Sequence, residues 1–389
     1  MRYDVILVLG ETFFDHPLCG TAVLKRLLER AGFSVGLIES PRESDIAKFG
    51  EPALFFGVSS GSIDSMLKNY TPLKKPRNEK NDVPDRAVIV YCNWIRKRFR
   101  DSRIVLGGTE ATLRRFSHYD YWDNKLRKPI ILDSRADILV FGSSEKQIVE
   151  IAHRLRAKES LLAIPGTCIV SKQLPEGFVE LPSHEEVEDS KERFCDMQTL
   201  LSNRKNLAQK IGNRYVLQYR SPKYSTADLD DYYGLAFTRV VPQELRGFEF
   251  SVVTHRGCIG NCNFCSLRLT QGDRVISRSE DSILKEIESM TRLKYFKGNV
   301  DDFGGPSANM YGMDCRLAYE CDKDCIGCPK LDRSNKRLIC LLRKARVIKG
   351  IKNVYLRSGV RFDLASPEYT KEIACHHVYD TLRIAPEHV

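Results

Sequence analysis

Over the first 156 residues, short unbroken apolar runs alternate with amphipathic stretches. Val5 to Leu9, Ser34 to Ile38, Leu54 to Val58, Ile104 to Leu106 and Ile138 to Phe141 are the apolar runs, and such runs mark strands buried on both faces of a parallel sheet. Between them, Thr21 to Arg30, Arg86 to Phe99 and Ser144 to Arg156 repeat apolar residues at helical spacing. The alternation predicts a doubly wound α/β domain over 1–156. Ligands of such domains sit beyond the carboxyl ends of the strands, which makes Gly10 to Gly20, Ser59 to Asp64 and Gly107 to Glu110 the candidate loops. Ser62 to Asp85, rich in Lys, Pro, Asn and Asp, reads as a long surface loop of the kind that is more often functional than idle.

The pattern weakens from 157 to 247, where charge is mixed and prolines recur. That stretch predicts a partly helical connector, with Arg193 to Ile211 as its best helix. From Phe248 the alternation resumes. Phe250 to Thr254, Asn299 to Phe303, Val354 to Leu356 and Thr381 to Ile384 read as strands, and Arg278 to Leu293, Asp332 to Lys349 and Pro367 to Cys375 as helices, with Ser279 and Asp281 available as caps. Residues 248–389 therefore read as the first half of a βα barrel, a partial TIM barrel incomplete at its carboxyl end. A whole barrel takes about 250 residues, and half of one exposes an edge strand and its interior. The expectation is a fragment of a longer protein, or a chain completed by another.

Composition narrows the class. The 389 residues are 42% hydrophobic and 29% charged, ordinary for a folded protein of two or three domains and unlike a disordered chain. The amino terminus has neither a signal peptide nor a membrane span, so the expected location is the cytoplasm, with no membrane partner. In that setting thirteen cysteines point to reduced thiols used for metal or redox chemistry and not to a disulfide framework. Eight of them crowd between Cys258 and Cys340, while Cys19, Cys92, Cys168, Cys195 and Cys375 are scattered and read as packing residues. The net charge of +10 suits a polyanion such as RNA without demanding one. The basic runs Arg96 to Arg100 and Arg343 to Arg346 fit solvated helix faces equally well.

The cysteine spacing carries the chemistry. Cys258-Ile-Gly-Asn-Cys262-Asn-Phe-Cys265 places three thiols on one tight turn, with Gly257 and Gly260 easing the backbone and Phe264 before the last thiol. A cubane iron-sulfur cluster takes four ligands, so three thiolates leave one iron open to a small molecule; a structural zinc knuckle is the plainer alternative. A second group, Cys315, Cys321, Cys325 and Cys328-Pro329, repeats the spacing. It can be read as an auxiliary 4Fe-4S cluster, a structural zinc site or unligated thiols, and Cys340 could replace one ligand. Position favours the first group as the open one, because it follows the opening strand and precedes Gly304-Gly305.

Three quoted stretches together resemble the YgiQ-type radical S-adenosylmethionine (SAM) proteins. They are Arg256-Gly257-Cys258 through Cys265, Gly304-Gly305-Pro306 through Tyr311, and Gly107-Gly108 through Trp122. The likeness runs from Asp15-His16-Pro17 to Glu387-His388, nearly the whole chain, and members of that family continue further. It implies a 4Fe-4S cluster on Cys258, Cys262 and Cys265. It also implies SAM cleavage to a 5′-deoxyadenosyl radical, and a reductant such as flavodoxin or ferredoxin. Gly304 and Gly305 would hold the methionine end of SAM and Asp302 its amino group, with a plain Gly-Gly-Pro turn as the alternative, and Phe264 would line the site. By position, Ser358 and Arg361 after the third strand and Arg383, Glu387 and His388 at the fourth are candidate ligands, with surface salt bridges an equal alternative for each. The resemblance supplies neither a substrate nor a catalytic side chain. The amino-terminal domain is similar in layout to cobalamin-binding domains, but the Asp-x-His-x-x-Gly ligand motif is absent around Asp15 and His16, so cobalamin is not expected. Two alternatives stand beside the enzyme: an iron-sulfur or zinc protein that binds RNA without turnover, and an inactive fragment.

Overall fold

The computed structural model describes residues 2–77, 83–317, 319–321 and 323–386. Glu387, His388 and residues 78–82 of the lysine-rich loop lie outside the described residues. The chain divides into two compact units, one of Met1–Phe13 with Leu24–Pro222 and the other of Phe14–Val23 with Lys223–Val389.

The first unit is built on one sheet. Its strands are β1 (Val5–Leu9), β2 (Val35–Glu39), β3 (Phe55–Ser59), β4 (Ile104–Leu106), β5 (Ile138–Val140), β6 (Thr167–Ser171), β7 (Val179–Leu181), β8 (Leu207–Ile211) and β9 (Arg214–Gln218), in the order β2-β1-β3-β4-β5-β6-β9-β8-β7. The first five run parallel. The order reverses between β1 and β3, the kind of switch point at which doubly wound folds bind ligands. Both faces are buried, as the unbroken apolar runs require. Ile6, Val8, Phe56, Val58 and Leu106 pack against Tyr91, Cys92 and Ile95 of the helix Ala87–Arg98. Val5, Leu7, Phe55, Val105 and Val140 face the opposite way, against Leu28, Ile148 and Ile151.

The expected connector over 157–247 is corrected by the structure. Most of it extends this sheet: β6 lies antiparallel to β5 and β9, β8 antiparallel to β9, and β7 parallel to β8. The expected helix Arg193 to Ile211 stops at Leu200, and Leu207–Ile211 is a strand. The polar run from Ser202 to Asn206 cannot continue a buried helix face, and Gly212 with φ +56 turns the chain into the hairpin with β9. The long loop after β3 contains a short helix, Ser65–Asn69. Its Ser65 donates from both backbone and hydroxyl to the fully buried Glu110 carboxylate. Burial pushes the Glu110 pKa up, against the pull of Arg114. Ser62 likewise donates to Glu11, so the three loops singled out at the switch point are tied to one another.

In the second unit the predicted strands appear as two-residue parallel ladders. Val252–Val253 pairs with Phe303–Gly304, Asn299–Val300 with Asn353–Val354, and Val360–Arg361 with Ile384–Ala385. The segments thus pair in chain order. The ladders are short because side chains take over backbone donors: Asp301 accepts from Phe250 N, and Asp302 from Arg357 N and Ser358 N. The helices Glu280–Met290, Lys336–Arg346 and Pro367–His376 cover one apolar core containing Val252, Ile287, Phe303, Leu342, Val354 and Tyr369. Among the described residues no helix is long and apolar enough to cross a membrane.

Candidate functional site

The opening strand of the second unit aims the cysteine loop, and it is held along both edges. On one edge Val252 N and Thr254 N donate to Asp302 O and Gly304 O, both at 2.8 Å. On the other, the carbonyls of Glu249, Ser251 and Val253 accept from guanidinium groups: Arg239 serves the first two, and Arg278 serves Val253 at 2.9 Å. Both arginines are buried and share one partner, Glu286 of the helix Glu280–Met290. Burial lowers the Arg239 pKa, and Glu286 opposes the shift. His16 is wholly buried beside them. Its Nε2 lies 2.8 Å from Glu249 O, and its Nδ1 accepts from Leu18 N at 3.0 Å. Asp15-His16, part of the amino-terminal motif, therefore works inside the second unit.

Beyond the strand, His255–Arg256 pairs antiparallel with Ile276–Ser277. Gly257 then turns with φ +82, and a Cβ there would overlap the Arg274 carbonyl oxygen. Only glycine meets both conditions. Cys258 N donates to Gly272 O at 3.0 Å, and Cys265 N to Cys262 O at 3.0 Å, closing the turn that carries the last two thiols. Cys258 is buried, Cys262 and Cys265 are half-buried, and Phe264 is 76% exposed at the rim. Arg361 reaches the loop, with Nη1 3.6 Å from Cys262 Sγ. A Cβ on Gly260 would overlap that guanidinium, so the glycine admits it. Asp363 grips Arg361 through Nε at 3.0 Å and Nη2 at 2.6 Å. This bond raises the Arg361 pKa, burial opposes the rise, and Asp363, Cys262 and Cys258 add to it. Asn309 fixes the arginine's backbone, accepting from Arg361 N and donating to Arg361 O. Among the described residues no three His, Cys, Asp or Glu side chains converge closely enough to grip a metal as they stand. The loop nevertheless fits a cluster in donor chemistry: three thiols on one turn, and a cation beside their sulfurs where thiolate charge would build.

Gly304 and Gly305 lie next to this loop. A Cβ on Gly305 would come within 2.6 Å of the buried His255 ring, and one on Gly304 within 3.2 Å of Ser358 Oγ. Close packing thus explains both glycines before any ligand is considered. Asp302 is brought to Ser358: its oxygens accept from Arg357 N at 2.8 Å, Ser358 N at 3.1 Å and Ser358 Oγ at 2.6 Å. Its first role is to fix that turn. Arg383 is exposed and contributes its carbonyl to Val360 N.

Burial holds both His255 and His16 at a pKa of about 4; Asp314 and a hydrogen bond to the Ser307 backbone oppose this at His255, while Arg239 reinforces it at His16. The unfolded chain takes up these protons more readily than the folded one. Stability from each ring is therefore complete above about pH 6.5 and is lost as pH falls toward 4, on the order of 2 kcal/mol per ring by pH 5. Urea midpoints followed by far-ultraviolet circular dichroism at pH 7.5 and pH 5 should differ accordingly; equal midpoints would contradict the burial of these rings.

In the second cysteine group, Cys325 packs in the same apolar cluster as Cys258 and Ile259. Burial raises its thiol pKa, Arg274 lowers it, and Cys315, Asp324 and Cys321 raise it further. Most charges of the basic runs are paired within the fold. Arg96 binds Asp137, Lys97 binds Glu43, Lys344 binds Glu280, and Arg343 and Arg346 both bind Glu372. Sequence reasoning missed Asp363, Asn309, His255 and the Arg239–Glu286–Arg278 group. Glu286 left a signal, since it sits within the apolar stripe Ile283, Ile287 and Met290.

Comparison with known proteins gives a consistent picture. The family model described as radical SAM N-terminal matches residues 1–250. A UPF0313 protein of Methanocaldococcus jannaschii is 42% identical over 99% of this chain and 70% of its own length. Another from Clostridium botulinum is 40% identical over 99% of this chain and 66% of its own. The chain thus spans about two thirds of these relatives. Among solved structures, it resembles the radical SAM methyltransferase TsrM of Kitasatospora setae, bound to tryptophan and a SAM analogue. The TM-score is 0.52 and the identity 16%, over 96% of this chain and 57% of that one. The cobalamin-dependent radical enzyme OxsB gives a TM-score of 0.50 at 10% identity, over 97% of this chain and 43% of that one. These likenesses show the fold alone. Both neighbours have been solved with cobalamin bound, and so lend no support to the expectation that cobalamin is absent.

Proposed function

The chain belongs to the UPF0313 family of radical SAM proteins, and on that premise we propose that it is the core of an enzyme that cleaves SAM reductively at a 4Fe-4S cluster held by Cys258, Cys262 and Cys265. One observation carries this reading: a three-thiol loop stands directly beyond a parallel strand, with the Arg361 guanidinium at the Cys262 sulfur. Cys258, Cys262 and Cys265 would hold the cluster, which, once reduced by an external electron donor, would supply the electron that breaks the sulfonium C–S bond of SAM to give methionine and a 5′-deoxyadenosyl radical able to abstract hydrogen from a substrate. The chain's own residues do the positioning. Gly257 sets the entry angle of the loop, and Glu286 holds the two arginines that fix the strand behind it. Arg361, oriented by Asp363 and Asn309, offsets negative charge at the thiolates. Gly304, Gly305 and Ser358 form the neighbouring surface for SAM, and the neutral His255 ring backs that surface without adding charge. Phe264, exposed beside the last thiol, would close over the site when SAM is bound.

Anaerobic reconstitution tests the reading. A cluster signal in electron paramagnetic resonance that shifts on adding SAM, together with release of 5′-deoxyadenosine, is expected. Retention of both in the Cys258→Ala, Cys262→Ala, Cys265→Ala variant would overturn it. Arg361→Met provides a finer measurement. A cation at the sulfurs favours the reduced, more negative cluster, so its removal should lower the reduction potential by on the order of 60 mV, tenfold in a one-electron equilibrium. An unchanged potential would remove Arg361 from the site.

A further inference from the structure

We propose that Cys315, Cys321, Cys325 and Cys328 form a second metal-thiolate centre that staples residues 314–334 beside the first cysteine loop. The argument starts from what that segment lacks. Between Gly304 and Lys336 the described residues contain no helix or strand, and from Asp314 to Ser334 no described residue is buried. A loop of this length without secondary structure is usually functional or disordered, and small units lacking an apolar core of their own commonly use a disulfide or metal staple. Four cysteines fall within it, and four thiolates are a complete tetrahedral donor set.

The side chains do not converge on a metal as they stand, but the local backbone repeats that of the first loop. Cys328 N donates to Cys325 O at 3.1 Å, the same turn that Cys265 N makes to Cys262 O at 3.0 Å. The second group thus repeats the backbone turn of the first as well as its spacing. Gly327 N donates to Asp324 Oδ2 at 2.8 Å, which closes the preceding step. The segment is anchored from outside at chosen points. Ser277 N donates to Asp314 Oδ1 at 2.5 Å, and the buried Arg274 donates through Nη2 to Cys321 O at 2.6 Å. Tyr319 Oη bonds both N and O of Tyr224. Cys315 and Cys321 lie within electrostatic reach of Cys325, which rests with Ile326 and Leu331 on the cluster containing Cys258.

Arg274 gives the placement its meaning. Its carbonyl oxygen fills the space beside Gly257, while its guanidinium holds the second cysteine segment. One residue therefore spans the two thiol groups. The centre takes a thiophilic metal that prefers four sulfur ligands, either a zinc ion or the irons of a closed 4Fe-4S cluster. It does not depend on the first loop binding SAM.

The test is metal analysis of the full chain, purified anaerobically, as wild type, as Cys258→Ala with Cys262→Ala and Cys265→Ala, and as Cys321→Ala with Cys325→Ala and Cys328→Ala. The first variant is expected to keep about one zinc, or about four irons with matching acid-labile sulfide; these two results distinguish the source, and either supports the proposal. The second variant is expected to lose that complement. A folded first variant without stoichiometric metal would overturn the proposal, as would a second variant with the full wild-type complement. If the second variant fails to fold, differential alkylation of the wild type decides. The four thiols should resist iodoacetamide until a chelator or oxidant removes the metal, while the exposed Cys340 and Cys375 label at once. Immediate labelling of all four would sink the proposal. Failure of SAM cleavage with this metal retained would count only against the reading of the first loop.

Discussion

Glu286→Ala should lower the stability of the second unit by about 3–5 kcal/mol, the usual cost of leaving buried charge without its partner. Two guanidiniums depend on this carboxylate, and all three side chains are at most 7% exposed. Their own bonds to Glu249 O, Ser251 O and Val253 O would survive only if two adjacent cations tolerated each other out of water. With a urea m-value of about 2 kcal/mol per molar, the midpoint should drop by about 2 M. The measurement has a built-in control, because both tryptophans, Trp94 and Trp122, belong to the first unit. Their fluorescence transition should move little while circular dichroism reports the loss. Glu280→Ala, which breaks an exposed pair with Lys344, should change the stability by less than about 1 kcal/mol. If the two variants behaved alike, the buried group would not be holding the strand.

Gly257→Ala should leave both units folded and remove the capacity to hold a cluster. An alanine at φ +82 costs about 1–2 kcal/mol for handedness alone, and its Cβ overlaps backbone, which cannot move aside as a flexible side chain does. The nearby relief is to unpick the Cys258 N to Gly272 O bond, which would swing Cys258 out of its buried position. Iron bound after reconstitution should fall at the first loop, with the urea midpoint lowered by no more than about 1 M. Gly20→Ala is the comparison, since a Cβ there meets nothing within 4 Å; it should bind iron normally. Full cluster occupancy in the Gly257 variant would show that the loop has another way to turn.

The first unit was largely legible from pattern. Strands buried on both faces leave unbroken apolar runs, and β1, β4 and β5 begin where those runs begin. The error between 157 and 247 has a local origin. Leu207–Ile211 is too short and too polar at Gln209 and Lys210 to look like a buried strand, yet Gln209 is buried and satisfied by Pro182 O and Ser117 N. Such polar partners come from distant sequence and leave no periodic trace. The thiol loop was legible because ligand spacing is local. Arg361 could be placed at a strand end, but its union with Cys262, 99 residues away, could not be read, nor could the role of Asp363 two residues beyond it. Glu286 is the instructive miss. A carboxylate inside an apolar helical stripe must have a buried cationic partner, and that inference was available without coordinates.

The arginine-lined edge of the opening strand also bears on self-association. Exposed strand edges invite pairing with other chains, and proteins commonly blunt them with charge. Here the carbonyls of Glu249, Ser251 and Val253 are already occupied by buried guanidinium donors. An incoming strand would have to pull two cations out of the core before its first ladder bond could form. The same three side chains that point the cysteine loop thus occupy the carbonyls through which a further strand would pair on that side.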